Sequence, residues 1–547
     1  MPMRQVMSEA QELIGAGDYG SAAPYLDQLE IRFAGEGNPE VEKILEQFGF
    51  VRGVGYIQNF GKTGDMSNMQ KAADAFAKFV EKYPENENAV SAMQQRTTCL
   101  RALQKWEEAA EVIEELLDED KPFKKKILKR SELMNLYYGR AQCYHIKQNW
   151  RMGEKAFAEL LKFSDLAKDE DRAAYAVSCM VEMFVQERRI DEIFPLLPRL
   201  SGDTPARFDL RLNVNLMQGA EILKEQDRQV EASLLFALTM TTEEIVTFYT
   251  SREKQITYEM DQIQSFIDAQ GRRLPPKRVT SLKNRINDLA MKATSARSHL
   301  KLAQSTPSFT TVLRWRKADN FQACKREWES FWAFYWLYKD FPDHEMVENF
   351  IYAAFASANT VKYREKSIEL GEEYLANKEL VQFRPDVTFI MANAYRKEAV
   401  TQMGIVEELQ SSLATVDKER AAAAKTKADE YQARFFELCD DFLEVMPEHK
   451  YSREFIGMMG AEFFKRQEFD KLLRKFAGFE NGTFNPTAGY ANKKELQGTL
   501  SMGRVNYMSG LAFLASGNYD AAKPFLGAVV GVSINGLPLD EAAVEED

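Results

Sequence analysis

The sequence predicts an all-α solenoid of stacked helical hairpins, and three observations carry that prediction. First, one spacing returns five times. It runs small residue, three on an aromatic or leucine, six on an aromatic, three on a small residue, four on a large apolar one. Ala10, Leu13, Tyr19, Ala22 and Leu26 fit it, as do Thr97, Leu100, Trp106, Ala109 and Ile113. Ala141, Tyr144, Trp150, Gly153 and Phe157 repeat it, and Gly510, Phe513, Tyr519, Ala522 and Leu526 fit near the other end. Gly460, Phe463, Phe469, Leu472 and Phe476 keep the spacing with leucine at the second small place. Second, almost every segment has helical periodicity, and convincing alternating strands are absent. Third, 547 residues are too many for one core, so several modules or one elongated array is expected.

In order, residues 4–32 form a helix pair turning at Gly15-Ala-Gly17-Asp18-Tyr19, where glycine relieves the left-handed helix end and Ser21 caps the next helix. Residues 40–59 and 68–83 form the next pair, with Gly53, Tyr56, Ala72 and Phe76 keeping the spacing around a turn lengthened by GKTGDMSNM. Pairs at 87–119 and 128–163 follow, then a weaker one at 170–200. Residues 206–225 and 228–268 read as helices, the second long and charged. A break at Gly271-Arg-Arg-Leu-Pro275-Pro276 leads into a further helix over 277–303, which makes a long antiparallel hairpin. Residues 308–341 return to a repeat, a second long pair lies at 385–416 and 418–445, and the last repeats run from 450 to about 531. The end, SINGLPLDEAAVEED, reads as a frayed acidic tail. The expected organisation is an N-terminal array over 1–204, a long-helix hairpin region over 205–304, and central repeats over 305–384. A second long hairpin over 385–446 and C-terminal repeats with the tail over 447–547 complete it.

A second recurrence sharpens the repeat. Tyr83-Pro84-Glu85-Asn86, Phe341-Pro342-Asp343-His344 and Met446-Pro447-Glu448-His449 each end a helix with a bulky residue, proline, an acid and a polar residue. Proline lacks an amide hydrogen and stops the helix. His344 and His449 are expected to cap the turns that follow.

Small-bulky spacing with Gly517-Asn-Tyr519 or Gly17-Asp-Tyr19 at the turn resembles the tetratricopeptide repeat. The proline-ended style resembles the repeats of bacterial cell-envelope proteins, the outer-membrane assembly lipoprotein and the Tol–Pal coordinator. Neighbouring strong matches lie 40 to 50 residues apart, against about 34 in the standard repeat. Arg364 stands where the turn aromatic belongs, and 205–303 fits poorly. The family implies protein or peptide binding and brings no catalytic residues with it.

The formal charge of −12 opposes general nucleic-acid binding. No stretch reaches the roughly 18 to 20 apolar residues a transmembrane helix needs, and MPMRQVMSEAQELIGAG has no signal-peptide core. Because it begins almost inside a repeat helix, a trimmed N-terminus is compatible with it. The location is envelope-associated if a signal has been removed, and cytoplasmic otherwise. Cys99, Cys143, Cys179, Cys324 and Cys439 are odd in number and widely spaced, and read as small apolar packing residues rather than a disulfide framework.

Gly61-Lys62-Thr63 lacks the four-residue spacing and preceding strand of a phosphate loop, and reads as an inter-helix turn. Cys143 and His145 point to different helix sides, and His344-Glu345 lacks a second histidine, so no metal is expected. Residues 121–130, KPFKKKILKR, hold six positive charges beside eight acids in 107–120. They read either as a dock for an acidic partner or lipid headgroups, or as a helix junction with mutually compensating charges. Trp328, Trp332 and Trp336 recur every four residues, with Phe331, Phe334, Tyr335 and Tyr338 beside them. That stripe covers over half the helix, so the helix is expected to be buried nearly all round, as the centre of a core where the long hairpin meets the array, with a ligand-stacking platform as the alternative reading.

The expected function is a non-enzymatic protein-interaction scaffold or adaptor without cofactor. It binds a peptide or helical protein partner, with self-association through the long hairpins as a further role. Tyr137, Asn506, Lys124, Lys125 and Lys126 are the candidate partner-binding residues. Two alternatives are a structural subunit of a bacterial outer-membrane or Tol-type energy-transducing complex, and a helical ligand-binding protein using the tryptophan-rich core.

Overall fold

Helices paired in chain order make up the structure, a computed structural model that describes residues 1–33, 38–127, 129–200, 202–270, 273–410, 414–497 and 500–530. Its contacts divide the chain into two units, Met1–Leu313 and Arg314–Asp547. In the first unit α1 (Met3–Gly15) pairs with α2 (Tyr19–Phe33), and α3 (Pro39–Thr63) with α4 (Met66–Lys82). Next come α5 (Ala89–Ala102) with α6 (Trp106–Leu117), short α7 (Pro122–Lys126), and α8 (Arg130–Ile146) with α9 (Trp150–Ala167). Helix α10 (Glu170–Gln186) pairs with a 3-10 helix (Ile190–Leu200), α11 (Leu210–Glu225) with α12 (Gln229–Leu238), and α13 (Thr242–Gln270) with α14 (Pro276–Gln304).

The unit boundary falls within α15 (Ser308–Ala323). The second unit continues with α16 (Glu327–Asp340), then α17 (Val347–Thr360) with α18 (Arg364–Ala376), and α19 (Arg384–Leu409) with α20 (Thr415–Val445). Helix α21 (Lys450–Lys465) is joined to α22 (Phe469–Ala477), and α23 (Leu500–Ala515) pairs with α24 (Tyr519–Val529). Two two-residue strands, β1 (Phe479–Glu480) and β2 (Thr483–Phe484), pair antiparallel between α22 and α23, a feature too short for periodicity to reveal.

One turn recurs through both units. Gly17, Gln104, Gln148, Arg188, Asp227, Lys325, Lys362, Gln467 and Gly517 all adopt left-handed φ between 53° and 78°. In each case the next amide donates to the carbonyl five residues before it, as from Asp18 to Leu13 (3.0 Å), Lys105 to Leu100 (2.9 Å), Asn149 to Tyr144 (3.0 Å) and Asn518 to Phe513 (2.8 Å). This is the Schellman closure of a helix end. It places the turn ring and the second small residue at fixed distances from the first helix, which is why the sequence spacing repeats.

The proline stops are equally regular. Tyr83, Phe341 and Met446 share φ near −130° and ψ near 60° as helix C-caps. After them Asn86 Oδ1 accepts from the amide of Asn88 (3.0 Å), His344 Nδ1 from that of Met346 (3.1 Å) and His449 Nδ1 from that of Tyr451 (3.2 Å). The two histidines thus cap as the sequence leads one to expect.

Three local expectations need correction. Residues 228–268 are not one helix, because the chain breaks between Leu238 and Thr242. A reciprocal cap makes the break: Thr241 donates its amide to Glu244 (2.7 Å) and its hydroxyl accepts the amide of Glu244 (3.3 Å). Buried Asn213 also accepts the Met240 amide at 2.6 Å. Gly61, Lys62 and Thr63 are the last turn of α3 rather than a loop; Gly64 (φ 68°) and the cap Asp65 alone make the turn. The pair at 170–200 ends in a 3-10 helix since Pro195 and Pro198 remove amides an α-helix needs.

The long hairpin α13–α14 is a coiled-coil pair. Val279, Leu282, Ile286, Leu289, Ala293, Ala296, Leu300 and Ala303 advance by alternating threes and fours along α14, and all are at least half-buried. Arg285–Glu259 and Arg297–Glu253 pairs flank the seam, and Arg252 anchors its base to Asp171 of α10 at 2.9 Å. Of its predicted break, Gly271 and Arg272 lie outside the described residues, as does the acidic tail. All five cysteines are free, four of them buried. Burial pushes the thiols of Cys99 and Cys143 up to about 11, which suits packing residues.

Candidate functional site

Helix α16, EWESFWAFYWLYKD, turns Ser330, Phe331, Phe334 and Leu337 into the protein. Trp315 of α15 packs on Phe334 (5.1 Å), and Ser330 donates its hydroxyl to the Ala318 carbonyl at 3.1 Å. The tryptophans occupy the opposite face. Trp328, Trp332 and Trp336 are 50%, 39% and 54% exposed. This overturns the expectation of a helix buried nearly all round, and with it a tryptophan-rich core pocket. The second helix of a hairpin is packed on one side by its own partner and the next hairpin. Three aliphatic and phenyl side chains already fill that side.

Four-residue steps keep the three indoles in one row along the helix. Each leans on another ring: Trp328 on Tyr363 (5.8 Å), Trp332 on Phe331 (4.8 Å) and Trp336 on Tyr335 (5.4 Å). Lys366 and Lys339 lie over Tyr335 at 5.4 and 5.7 Å, and Lys339 is paired with Glu373 at 3.0 Å. With indoles burying up to about 250 Å², the row exposes on the order of 300 Å² of aromatic surface, the size of a functional patch.

In the first unit the structure brings together two of the sequence-predicted residues. Tyr137 and Lys124 line a cleft of about 730 Å³ between α6, α8 and α9. Tyr137 packs on Phe163 at 5.1 Å to form its floor, and Arg140 lies over Tyr137 at 5.5 Å while pairing with Glu159. Glu114, Glu115, Asp118, Glu119 and Glu159 ring the cleft against the cations Lys124, Arg140 and Lys162. Its charge is therefore acidic, opposite to a dock for an acidic partner.

Four of the five lysines of the run pair with carboxylates of this chain. Lys124 reaches Glu119 at 2.9 Å and Lys126 reaches Glu85 at 3.1 Å, while Lys125 is exposed on α7 and does not line the cleft. The Lys124 hydrogen bond holds the Glu119 carboxyl below its usual range. Asn506 is half-buried on α23 of the second unit.

A second cleft, of about 390 Å³, lies in the same unit. His145 Nε2 lies 3.2 Å from Glu182 Oε2, with Tyr175, Trp150 and Arg211 around them. The His145 hydrogen bond holds Glu182 below the usual carboxylate range. Glu182 and Arg211 carry no motif that marks them in sequence. Among the described residues no three ligand-type side chains gather as a metal site.

No protein-family model matches the chain, and no curated protein matches it. Among solved structures, a chain in the crystal structure of the APC/C hetero-tetramer Cut9-Hcn1 is 12% identical over 95% of this chain and 96% of that one, with a TM-score of 0.21. That score is too low to transfer shape or partners, and no cell-envelope family emerges. No helix among the described residues is long and apolar enough to cross a membrane. Its sequential hairpins and recurrent Schellman turns make this chain, over the described residues, an all-α helical-repeat protein.

Proposed function

We propose that the protein is a non-enzymatic interaction scaffold, and that the tryptophan row of α16 docks a helical segment of a protein partner. The observation that carries this reading is the half-exposure of three consecutive indoles held in place by neighbouring rings. Tryptophan anchors dominate binding energy where they enter a partner's groove, and ring contacts that fix them beforehand lower the ordering cost. A row with four-residue steps fits the groove between ridges of a facing helix.

Magnitude limits the role of the row. Covering about 300 Å² of aromatic surface at about 25 cal/mol/Å² gives roughly 7 kcal/mol, within the range that association itself costs. The partner must therefore extend past α16, and the indoles act as its anchor.

The test captures the partner from the native host with the full chain, then measures binding of the purified pair. Trp332→Ala and Trp336→Ala are expected to weaken that binding at least tenfold while melting stays close to wild type, and indole emission is expected to shift blue in the complex. Unchanged affinity in both variants would remove the ridge from the interface. Recovery of the chain alone would favour self-assembly.

A further inference from the structure

A second binding site arises where the repeat departs from its own rule. Tyr19, Trp106, Trp150, Phe469 and Tyr519 fill the turn position in five of the nine turns, but the α17–α18 turn carries Arg364. A cleft of about 470 Å³ lies between this turn and α19. Lys362, Arg364, Ser367, Asn393 and Lys397 line it, with Ile390 in its apolar wall.

The charges there are not balanced. Arg364 pairs with Glu398, but among the described residues Lys362 and Lys397 reach no carboxylate, and both are exposed. Tyr363 is the N-cap of the 13-residue α18 and its side chain makes no capping hydrogen bond. The first-turn amides and the positive end of the helix dipole are thus left to a ligand or solvent.

A separate observation points the same way. Ser367 is only 3% exposed, and its hydroxyl has no hydrogen-bond partner. Ser330, at the equivalent place on α16, donates to the Ala318 carbonyl. A buried hydroxyl without a partner costs stability unless something satisfies it.

We propose that this cleft binds a phosphate monoester, its oxygens held by Lys362, Lys397, the Ser367 hydroxyl and the α18 N-terminus, its organic group against Ile390. Two unpaired ammonium groups balance a dianion, whereas a single carboxylate would leave one of them uncompensated. The site lies apart from the row of indoles on α16 and does not depend on that reading.

Inorganic phosphate titrated into the full chain by calorimetry at constant ionic strength tests this, with acetate as the monoanionic probe. Phosphate is expected to bind saturably, and Lys362→Gln and Lys397→Gln are each expected to weaken it about tenfold. Lys126→Gln, whose lysine is already paired with Glu85, is the charge control and is expected to leave binding unchanged. Absence of saturable binding overturns the proposal. So does equal affinity in the Lys362→Gln/Lys397→Gln double variant, or acetate binding as tightly as phosphate.

Discussion

Arg434 and Glu372 meet in a two-point pair across 62 positions of the chain, Nε donating to Oε1 at 3.0 Å and Nη2 to Oε2 at 2.7 Å. The Tyr395 hydroxyl adds a third hydrogen bond to the same carboxylate at 2.7 Å. The contact joins both long helices of the second hairpin to α18, so it fixes the base from which α19 and α20 extend.

Burial pushes the Glu372 carboxyl up, but the Arg434 and Tyr395 hydrogen bonds outweigh it and leave the group below its usual value. A depressed carboxylate contributes stability above its unfolded pKa of about 4.3, and that stability is lost as pH falls through the folded value. Since both partners are about one-third exposed, the contribution is discounted to about 1 kcal/mol. Glu372→Gln is expected to lower stability by that amount at neutral pH and by progressively less as pH drops below 4.3, read by urea denaturation across the range. A constant difference at all pH values would assign the loss to packing.

Phe331 and Trp332 are neighbours with opposite roles. Phe331 is fully buried in the core of the second unit. Phe331→Ala is expected to cost about 3–5 kcal/mol, whereas Trp332→Ala is expected to cost about 1 kcal/mol or less. Thermal melting of the two variants side by side separates them. Equal losses would return the indole to the core.

That contrast marks what the sequence made legible. Local rules were readable: the small-bulky spacing, the proline stops, and the capping by His344 and His449 all depend on residues close in sequence. Exposure of Trp332 was not readable, because periodicity says which side chains share a face and not whether another layer covers it. Four further hairpins match the spacing only weakly, because Ile190, Gln229, Glu327 and Arg364 stand where the turn aromatic belongs. The cleft beside Arg364 was legible only as a departure from the repeat. Its unpaired lysines and the Ser367 hydroxyl needed the fold.

Gly55 and Gly61 of α3 respond oppositely to an added methyl. A Cβ on Gly55 would overlap the Tyr19 backbone carbonyl, where α2 crosses closest, while one on Gly61 would meet nothing within 4 Å. Gly61→Ala is expected to stabilise by about 0.5–1 kcal/mol through helix propensity. Gly55→Ala is expected to destabilise by more than about 2 kcal/mol, because backbone cannot yield as a flexible side chain can. Chemical denaturation of both variants decides. Tolerance of alanine at 55 would mean that α2 and α3 pack less closely than the structure shows.

Gln148 closes the α8–α9 turn at φ 53°, and Gly17 closes the α1–α2 turn at φ 77° with the same hydrogen bond. A side chain in the left-handed region costs roughly 1–2 kcal/mol, and glycine avoids that cost but loses more chain entropy on folding. The first effect is the larger at a turn whose geometry its own hydrogen-bonded closure holds fixed. Gln148→Gly is therefore expected to stabilise the first unit by about 0.5–1 kcal/mol, and Gly17→Gln to destabilise it by a similar amount. Hydrogen exchange at the Asn149 and Asp18 amides reports each turn directly: slower at Asn149 in the first variant, faster at Asp18 in the second. If both substitutions moved exchange the same way, left-handed strain would not be what distinguishes the glycine turns from the others.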